Sequence, residues 1–551
     1  MRKYLFALVP LLLILSSVFA QDKTVIELKE HITYLSDDKL EGRLTGSKGE
    51  MMAAEYIAAD FKALGLTPFG DNKTYIQSFT FSAGKEATKN NFITVGNKQI
   101  DYPEVYPLVL SGTGNISAEV IDLDYGISAD SIDYNDYSGK NVKGKIVLVK
   151  LSSPEGYHPH TKFYPYADER SKVNAAIENG AAGIIFYNVD SNYETPRMDY
   201  TMKTSAVSIP AMYVTESIAE KIIAEKKPVT LETELLDIEK TGHNILGFID
   251  NHAKETIVIG AHYDHLGYNE MGGSLYRGKP AIHNGADDNA SGTAMIMELA
   301  EALQLLSYKN NNYLFIAFSG EELGLYGSKY SASSKALEPL DINYMLNFDM
   351  VGRLDEENNL IINGVGTSPA FANLDTINNN RFVLKTTESG VGPSDHTSFY
   401  LKDIPVLHFF TGTHSDYHKP SDDEDKINYD GIELIQNYVI DIIANYNAKG
   451  KIEFMKTKED SNENAPRFTV TLGVIPDYIF EGKGMRIDAV TEDRPAAKAG
   501  LLAGDIVVKL GPVEVVDMMS YMKALSMFEK GDATTVHVMR GEENMEFKVQ
   551  F

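Results

Sequence analysis

ETIVIGAHYDH at 255–265, SGTAMIMELAEALQLL at 291–306, NYLFIAFSG at 312–320, NYMLNFDM at 343–350, IPVLHFF at 404–410 and GIELIQNYVIDIIANY at 431–446 decide the fold. Apolar runs of strand length alternate here with long segments of helical period. Parallel strands need crossover connections, usually helices, so this alternation predicts an α/β domain: a mainly parallel sheet with helices on both faces. The predicted core runs from 237 to 452. Its polar motifs stand at the strand ends, where open α/β sheets place their ligand crevice.

Upstream, HITYLSDDKLEGRLTGSKGEMMAAEYIAADFKALGL (31–66) is a polar, Gly-containing stretch followed by a helix with Ala54, Ile57, Ala58, Phe61 and Leu64 at helical spacing and Gly65 as its stop. We assign 21–110 to the N-terminal part of the same domain. Between 111 and 236 the character shifts. NVKGKIVLVKL is a turn and strand, SKVNAAIENGAAGIIFYN a helix, Gly turn and strand, and SIPAMYV a further strand, which together predict a separate small α/β insert. The charged, Pro-terminated KTKEDSNENAP lies within a linker at 453–466, and 467–551 reads as a compact β-rich unit.

The chain has 551 residues, 43% hydrophobic and 23% charged, a globular profile with room for several cores. Residues 1–20 read as a secretory signal peptide: Arg2 and Lys3, an apolar run from Leu5 to Leu15, then Val18 and Ala20 before Gln21. That run is shorter than the roughly 20 residues of a spanning helix. The expectation is an exported protein, periplasmic or secreted, with no membrane span in the mature chain. Cysteine is absent, so disulfides and thiolate zinc sites are excluded, and any metal must be held by His, Asp and Glu. A net charge of −27 argues against nucleic acid as a partner.

Each chemical motif is ambiguous alone. GAHYDHLG puts His262 and Asp264 two residues apart at a strand end, so that both point to one side and the carboxylate can orient a metal-bound imidazole. IHNGADDNASG offers Asp287 and Asp288 in a Gly-bracketed loop before a helix, which is equally what a helix cap and its solvated neighbour look like. Asp287, Asn289, Ser291, Gly292 and Glu298 also have EF-hand spacing. The approach RGKPAIHNG has no helical period, and that reading is set aside. SGEELGLYGS puts Glu321 and Glu322 side by side at a strand end, so one can bind a metal while the other serves as general base. Asp349 ends a buried run, and THSDYHKPSDDEDKI supplies His414, Tyr417 and His418.

Together, His, Asp, Glu, Asp and His at the tips of successive β/α elements form an O and N donor set suited to two adjacent zinc ions. At this point the chain resembles the cocatalytic zinc exopeptidases, the family of bacterial leucyl aminopeptidases, glutamate carboxypeptidase II and, more distantly, glutaminyl cyclases. The likeness covers 240–448, and LEGRLTGSKGE resembles the family's N-terminal part. It implies two Zn2+ per chain, with His262 and Asp349 on one ion, Glu322 and His418 on the other and Asp287 bridging. It further implies Asp264 as support for His262, Asp288 in the surrounding shell, Glu321 as general base and Tyr417 as the phenol that polarises the scissile carbonyl. His414 is the alternative to His418. Asp395 sits where relatives carry a carboxylate of the active-site network, or is structural. His158 and His160 read as a solvated loop pair. The middle unit resembles a protease-associated domain. The terminal unit, with TLGV and GMRIDAVTEDRPAAKAGLLAGDIVVKL, resembles a bacterial PDZ domain whose TLGV amides receive a peptide carboxylate.

These features imply an aminopeptidase acting on peptides with a free N-terminus, with a C-terminal peptide as the ligand of the PDZ unit. The acids Asp264, Asp288, Glu321, Asp395, Asp416, Asp422 and Asp423 outnumber the nearby cations Arg277, Lys279, Arg353 and Lys419. That balance suits an amine better than a carboxylate. Competing readings are a carboxypeptidase, a single-zinc glutaminyl cyclase, which would need only one ligand set, and a binding protein that has lost ligands, against which all five positions are filled.

Overall fold

The computed structural model describes residues 23–551 apart from 159–160, 194, 197–199, 201–203, 205, 277, 458–469, 478–479, 481, 491–493 and 529–530. The expected signal segment, His160, Arg277 and residues 458–466 of the expected linker therefore lie outside the described residues. The chain divides into two compact units, 1–81 with 240–463 and 82–239 with 464–551.

The first unit is organised by one sheet of nine strands: β1 Thr67–Pro68, β2 Ile76–Ala87, β3 Leu235–Ile249, β4 Glu255–His262, β5 Asn311–Phe318, β6 Asp341–Phe348, β7 Asn359–Asn363, β8 Val383–Thr387 and β9 Val406–Phe410. Their order is β1-β3-β5-β4-β6-β9-β7-β8, with β2 also paired to β3. The four central strands β5-β4-β6-β9 are mutually parallel, while β3 and β7 join them antiparallel. Every residue of β5 is buried, as is nearly every residue of β4 and β6. The apolar runs are therefore continuous and not alternating, because both faces of the sheet are covered.

Four longer helices pack on this sheet: α1 (23–35), α2 Lys48–Ala63, α3 Gly292–Leu305 and α4 Tyr429–Tyr446. Ser47 caps α2 by accepting from the Glu50 amide, and the helix buries Ala53, Ala54, Ile57 and Phe61. Phe61 meets Phe315 of β5 with ring centroids 6.2 Å apart. Full burial of such a ring stabilises the fold by about 1.5–3 kcal/mol. Helix α3 is buried along most of its length, from Gly292 to Ala300 and again at Leu303.

The second unit contains a five-stranded sheet ordered Val105–Pro107, Ala211–Val214, Gly183–Tyr187, Ile146–Lys150, Val120–Asp122, beside a four-stranded antiparallel sheet. A C-terminal six-stranded sheet carries the helices Pro495–Ala499 and Met518–Leu525. The sequence separates the insert from the terminal unit, and the structure packs them as one body. The Lys523 ammonium pairs with the Asp168 carboxylate and lies 5.2 Å from the Tyr164 ring centroid, while Thr204 donates to Asp517 at 3.0 Å. No described helix is long and apolar enough to cross a membrane.

Candidate metal centre

Because the central strands are parallel, their C-terminal ends lie along one edge. His262 is the last residue of β4, Glu321 and Glu322 follow β5, and Asp349 follows β6. Asp288 lies in the 286–291 turn that opens α3, and Tyr417 and His418 lie in the loop after β9.

His262 Nε2 stands 3.4 Å from Asp288 Oδ1 and 3.3 Å from Asp349 Oδ1. His418 Nε2 stands 3.3 Å from Asp288 Oδ2 and 3.3 Å from Glu322 Oε2. Charge-assisted N–H···O bonds close to about 2.7–2.9 Å. The edge of a tetrahedron of ligands at 2.0–2.1 Å from zinc is ~3.3–3.4 Å. The donors are thus spaced as two adjoining coordination shells sharing one carboxylate, and the residues present fit a pair of zinc ions.

The shared carboxylate is Asp288, which corrects the assignment of the bridge to Asp287. Asp287 is turned the other way: Oδ1 accepts from the Gly352 amide at 2.6 Å and from Ser291 Oγ at 3.0 Å, and Oδ2 faces His414 Nε2 at 3.1 Å. That contact also accounts for His414, which faces Asp287 and not the carboxylates beside His418. Asp264 lies behind His262, whose Nδ1 is 3.2 Å from the Asp264 carbonyl and 3.7 Å from its carboxylate. The carboxylate is itself held by Thr45 Oγ1 at 2.8 Å and the Glu321 amide at 3.2 Å. The Tyr417 ring stacks on His418, with centroids 3.8 Å apart. Asp395 is fully buried, and among the described residues neither carboxylate oxygen has a hydrogen-bond partner.

Beneath the centre lies Arg43, fully buried. Its guanidinium donates to the carbonyls of Tyr263 at 2.6 Å, Asn284 at 2.6 Å, Gly285 at 3.0 Å and Leu35. It therefore ties the strand end carrying His262 to the turn carrying Asp288. Gly42 beside it has φ +70, and a Cβ there would come within 2.5 Å of the His283 carbonyl, so only glycine lets the two segments close. From above, Asp422 accepts from the amides of Asp287 and Asp288, both at 3.0 Å.

The electrostatics follow from burying many acids together. Burial, with Asp349, Glu322 and Asp395 nearby, pushes the Glu321 carboxyl well above the usual range against the pull of His262. Burial also pushes Asp288 up, but its contacts with His262 and His418 prevail and hold it well below the usual range. His418, despite burial, is pushed up to about 11 by Asp288 and Glu322. Burial and the surrounding carboxylates raise Tyr417, keeping its phenol protonated at neutral pH.

Residues 244–443 match the model of Peptidase family M28. That stretch contains His262, Asp288, Glu322, Asp349 and His418. Residues 104–222 match a PA domain and 455–551 a PDZ domain. Aminopeptidase YwaD of Bacillus subtilis is 24% identical over 415 residues, 71% of this chain and 78% of its own length. A probable lipoprotein aminopeptidase, LpqL of Mycobacterium tuberculosis, is 25% identical over 56% of this chain and 55% of its own. A probable zinc metalloprotease of Pyrenophora tritici-repentis is 48% identical over 68 residues, 12% of this chain and 14% of its own. The solved aminopeptidase from Aneurinibacillus sp. strain AM-1 aligns with a TM-score of 0.43 at 23% identity, over 78% of this chain and 95% of that one. The chain is an enzyme, a metallopeptidase, in keeping with the matches named Peptidase family M28, aminopeptidase and zinc metalloprotease.

Three residues of the centre carry no assignment from the sequence. Arg43 stands in the LEGRLTGSKGE stretch, where two basic residues among glycines, Arg43 and Lys48, give no sign of which is buried. Asp422 is one acid in a run of acids, with nothing to single it out. His265 completes GAHYDH, and the structure places its Nδ1 2.6 Å from Glu322 Oε1.

Proposed function

We propose that the chain is an exported dizinc aminopeptidase. The observation that carries the reading is the pair of donor sets at 3.3–3.4 Å joined through Asp288, with Glu321 alongside. His262, Asp288 and Asp349 would hold one ion, and Asp288, Glu322 and His418 the other. Bound there, zinc supplies a Lewis acid for the scissile carbonyl and lowers the pKa of water.

The chain's own residues do the rest. Glu321, whose carboxylate is not fixed by a ligand role, takes the proton from the attacking water and returns it to the leaving amine. Tyr417, kept protonated, donates to the carbonyl oxygen. Asp264 holds His262 in the tautomer that presents Nε2. Among the nearby cations, Arg353 is engaged with Asp416 at 2.7 Å, and Lys419 donates to the Ser415 carbonyl at 2.8 Å. Asp395, fully buried, and Glu321 offer carboxyl oxygens that can accept from an amine, and this excess of acids over free cations favours recognition of a free N-terminus. In the PDZ unit, Gly473 of TLGV takes φ +72 and supports the reading of that loop as a peptide-carboxylate site.

A matched pair of peptides, one N-acetylated and one C-amidated, tests the direction. Acetylation is expected to abolish cleavage and amidation to spare it, and the reverse pattern would make the enzyme a carboxypeptidase.

A further inference from the structure

Two imidazoles flank Glu322, and the spacing separates their roles. His418 Nε2 is 3.3 Å from Glu322 Oε2, a ligand-to-ligand distance. His265 Nδ1 is 2.6 Å from the other oxygen, Oε1, which is a hydrogen bond and too short for two donors sharing one zinc. The same Nδ1 is 4.0 Å from Asp288 Oδ2, out of bonding range. Glu322 as a carboxylate can only accept, so His265 Nδ1 carries the hydrogen and donates it.

The ring is fixed in this pose. It is fully buried, its backbone amide donates to the Arg43 carbonyl at 3.3 Å, and it occupies space left by Gly285, where a Cβ would come within 2.6 Å of His265 Cδ2. Among the described residues Nε2 has no hydrogen-bond partner, so the bond to Glu322 is the one polar side-chain contact among them that orients the ring. A carboxylate with both oxygens free can grip a metal ion through both. One whose Oε1 is held by an N–H presents Oε2 alone. Catalytic zinc needs a position left open for water or substrate.

We propose that His265 is a positioning residue that confines Glu322 to a single metal-ligating oxygen and so keeps a coordination position open at the second ion. The proposal rests on the dizinc reading. Its test uses full-length protein loaded with cobalt, whose visible absorption weakens as ligands are added, and the variants His265→Leu and His265→Asn. The asparagine amide can place an N–H where Nδ1 stands.

In His265→Leu the cobalt bands should weaken and kcat should fall about 10–100-fold, the usual cost of losing an outer-shell partner, with KM little changed. His265→Asn should restore both intensity and kcat. Unaltered cobalt bands in His265→Leu at a normal Tm would overturn the proposal. So would His265→Asn behaving like His265→Leu, because the ring itself, as ligand or as packing, would then be what matters. Glu322→Ala separates the two readings. Retention of one cobalt ion there upholds the dinuclear centre. Loss of all metal sinks it, and His265 is then judged on the single band of the unsubstituted protein.

Discussion

Asp287 and Asp288 are adjacent and both buried, yet the turn that carries them sends one carboxylate to the metal site and the other into the protein. Asp288→Asn is expected to weaken both zinc sites together, by more than the ~10–100-fold that an outer-shell change costs, because its two oxygens face two histidines. Asp287→Asn should keep two zinc ions per chain and instead lose about 1–3 kcal/mol of stability from the weakened network around Gly352, Ser291 and His414. Metal analysis and urea titration of the two variants distinguish these outcomes, and equal zinc loss in both would return the bridge to Asp287. The sequence shows that an acid of this pair is used but not which one. That choice is made by the direction of the peptide planes in the 286–291 turn, and those are set by Asp422 from one side and Arg43 from the other, residues more than a hundred positions away. His262, Glu322 and Asp349 are legible because each ends or follows a strand whose apolar run announces itself.

At the level of elements, the parallel strands and helix α3 are legible from continuous apolar runs, whereas the long strands Ile76–Ala87 and Leu235–Ile249 are not. Burial alternates along 76–83 but takes in the polar Gln77, and Leu235–Ile249 mixes exposed and buried positions irregularly, so no clean apolar period stands out in either sequence. The short helix His396–Tyr400 and strand β9 supply a different feature, a buried pair of histidines. The His396 and His408 rings stack with centroids 4.4 Å apart. Burial lowers both, with the other ring adding to the effect on His396, and brings His408 down to about 4 despite the nearby Asp349. A histidine held neutral in the fold but free to protonate when unfolded makes the unfolded state take up more protons. Its contribution to stability is therefore complete above the ordinary histidine pKa of about 6.5 and is lost as pH falls from there toward 4. For His408 alone the loss is on the order of 3 kcal/mol. Urea midpoints measured between pH 4 and 7 with chelator present should fall less steeply in a His396→Phe/His408→Asn variant than in the unsubstituted protein. Parallel slopes would exclude the pair as the cause.

For the whole molecule, every residue of the metal centre lies in the unit built from 1–81 and 240–463, while the insert and the C-terminal unit together form the other. A chain ending at Glu463 should therefore hydrolyse small chromogenic substrates largely as before. Its remaining insert should melt at a lower temperature, because Asp168 and Thr204 lose Lys523 and Asp517. A truncated protein that folds and binds zinc but has no activity would show that the PDZ unit completes the active site. The division into peptidase core, insert and terminal unit is legible from shifts in composition. The pairing of the last two is not, since it rests on a handful of polar contacts between segments some 350 residues apart.

Arg43 also sets a timetable. Its carbonyl partners at Tyr263, Asn284 and Gly285 are 220, 241 and 242 residues further along the chain. At ribosomal rates of about 5–20 residues per second, those partners do not exist for roughly 10 to 50 s after the arginine has been made. Throughout that interval helices α1 and α2 have no sheet to lie on, and their apolar faces remain open to whatever holds nascent chains apart. Native contacts this distant in sequence belong to the slow end of folding. The residue that locks the metal centre is thus made long before the partners that satisfy it.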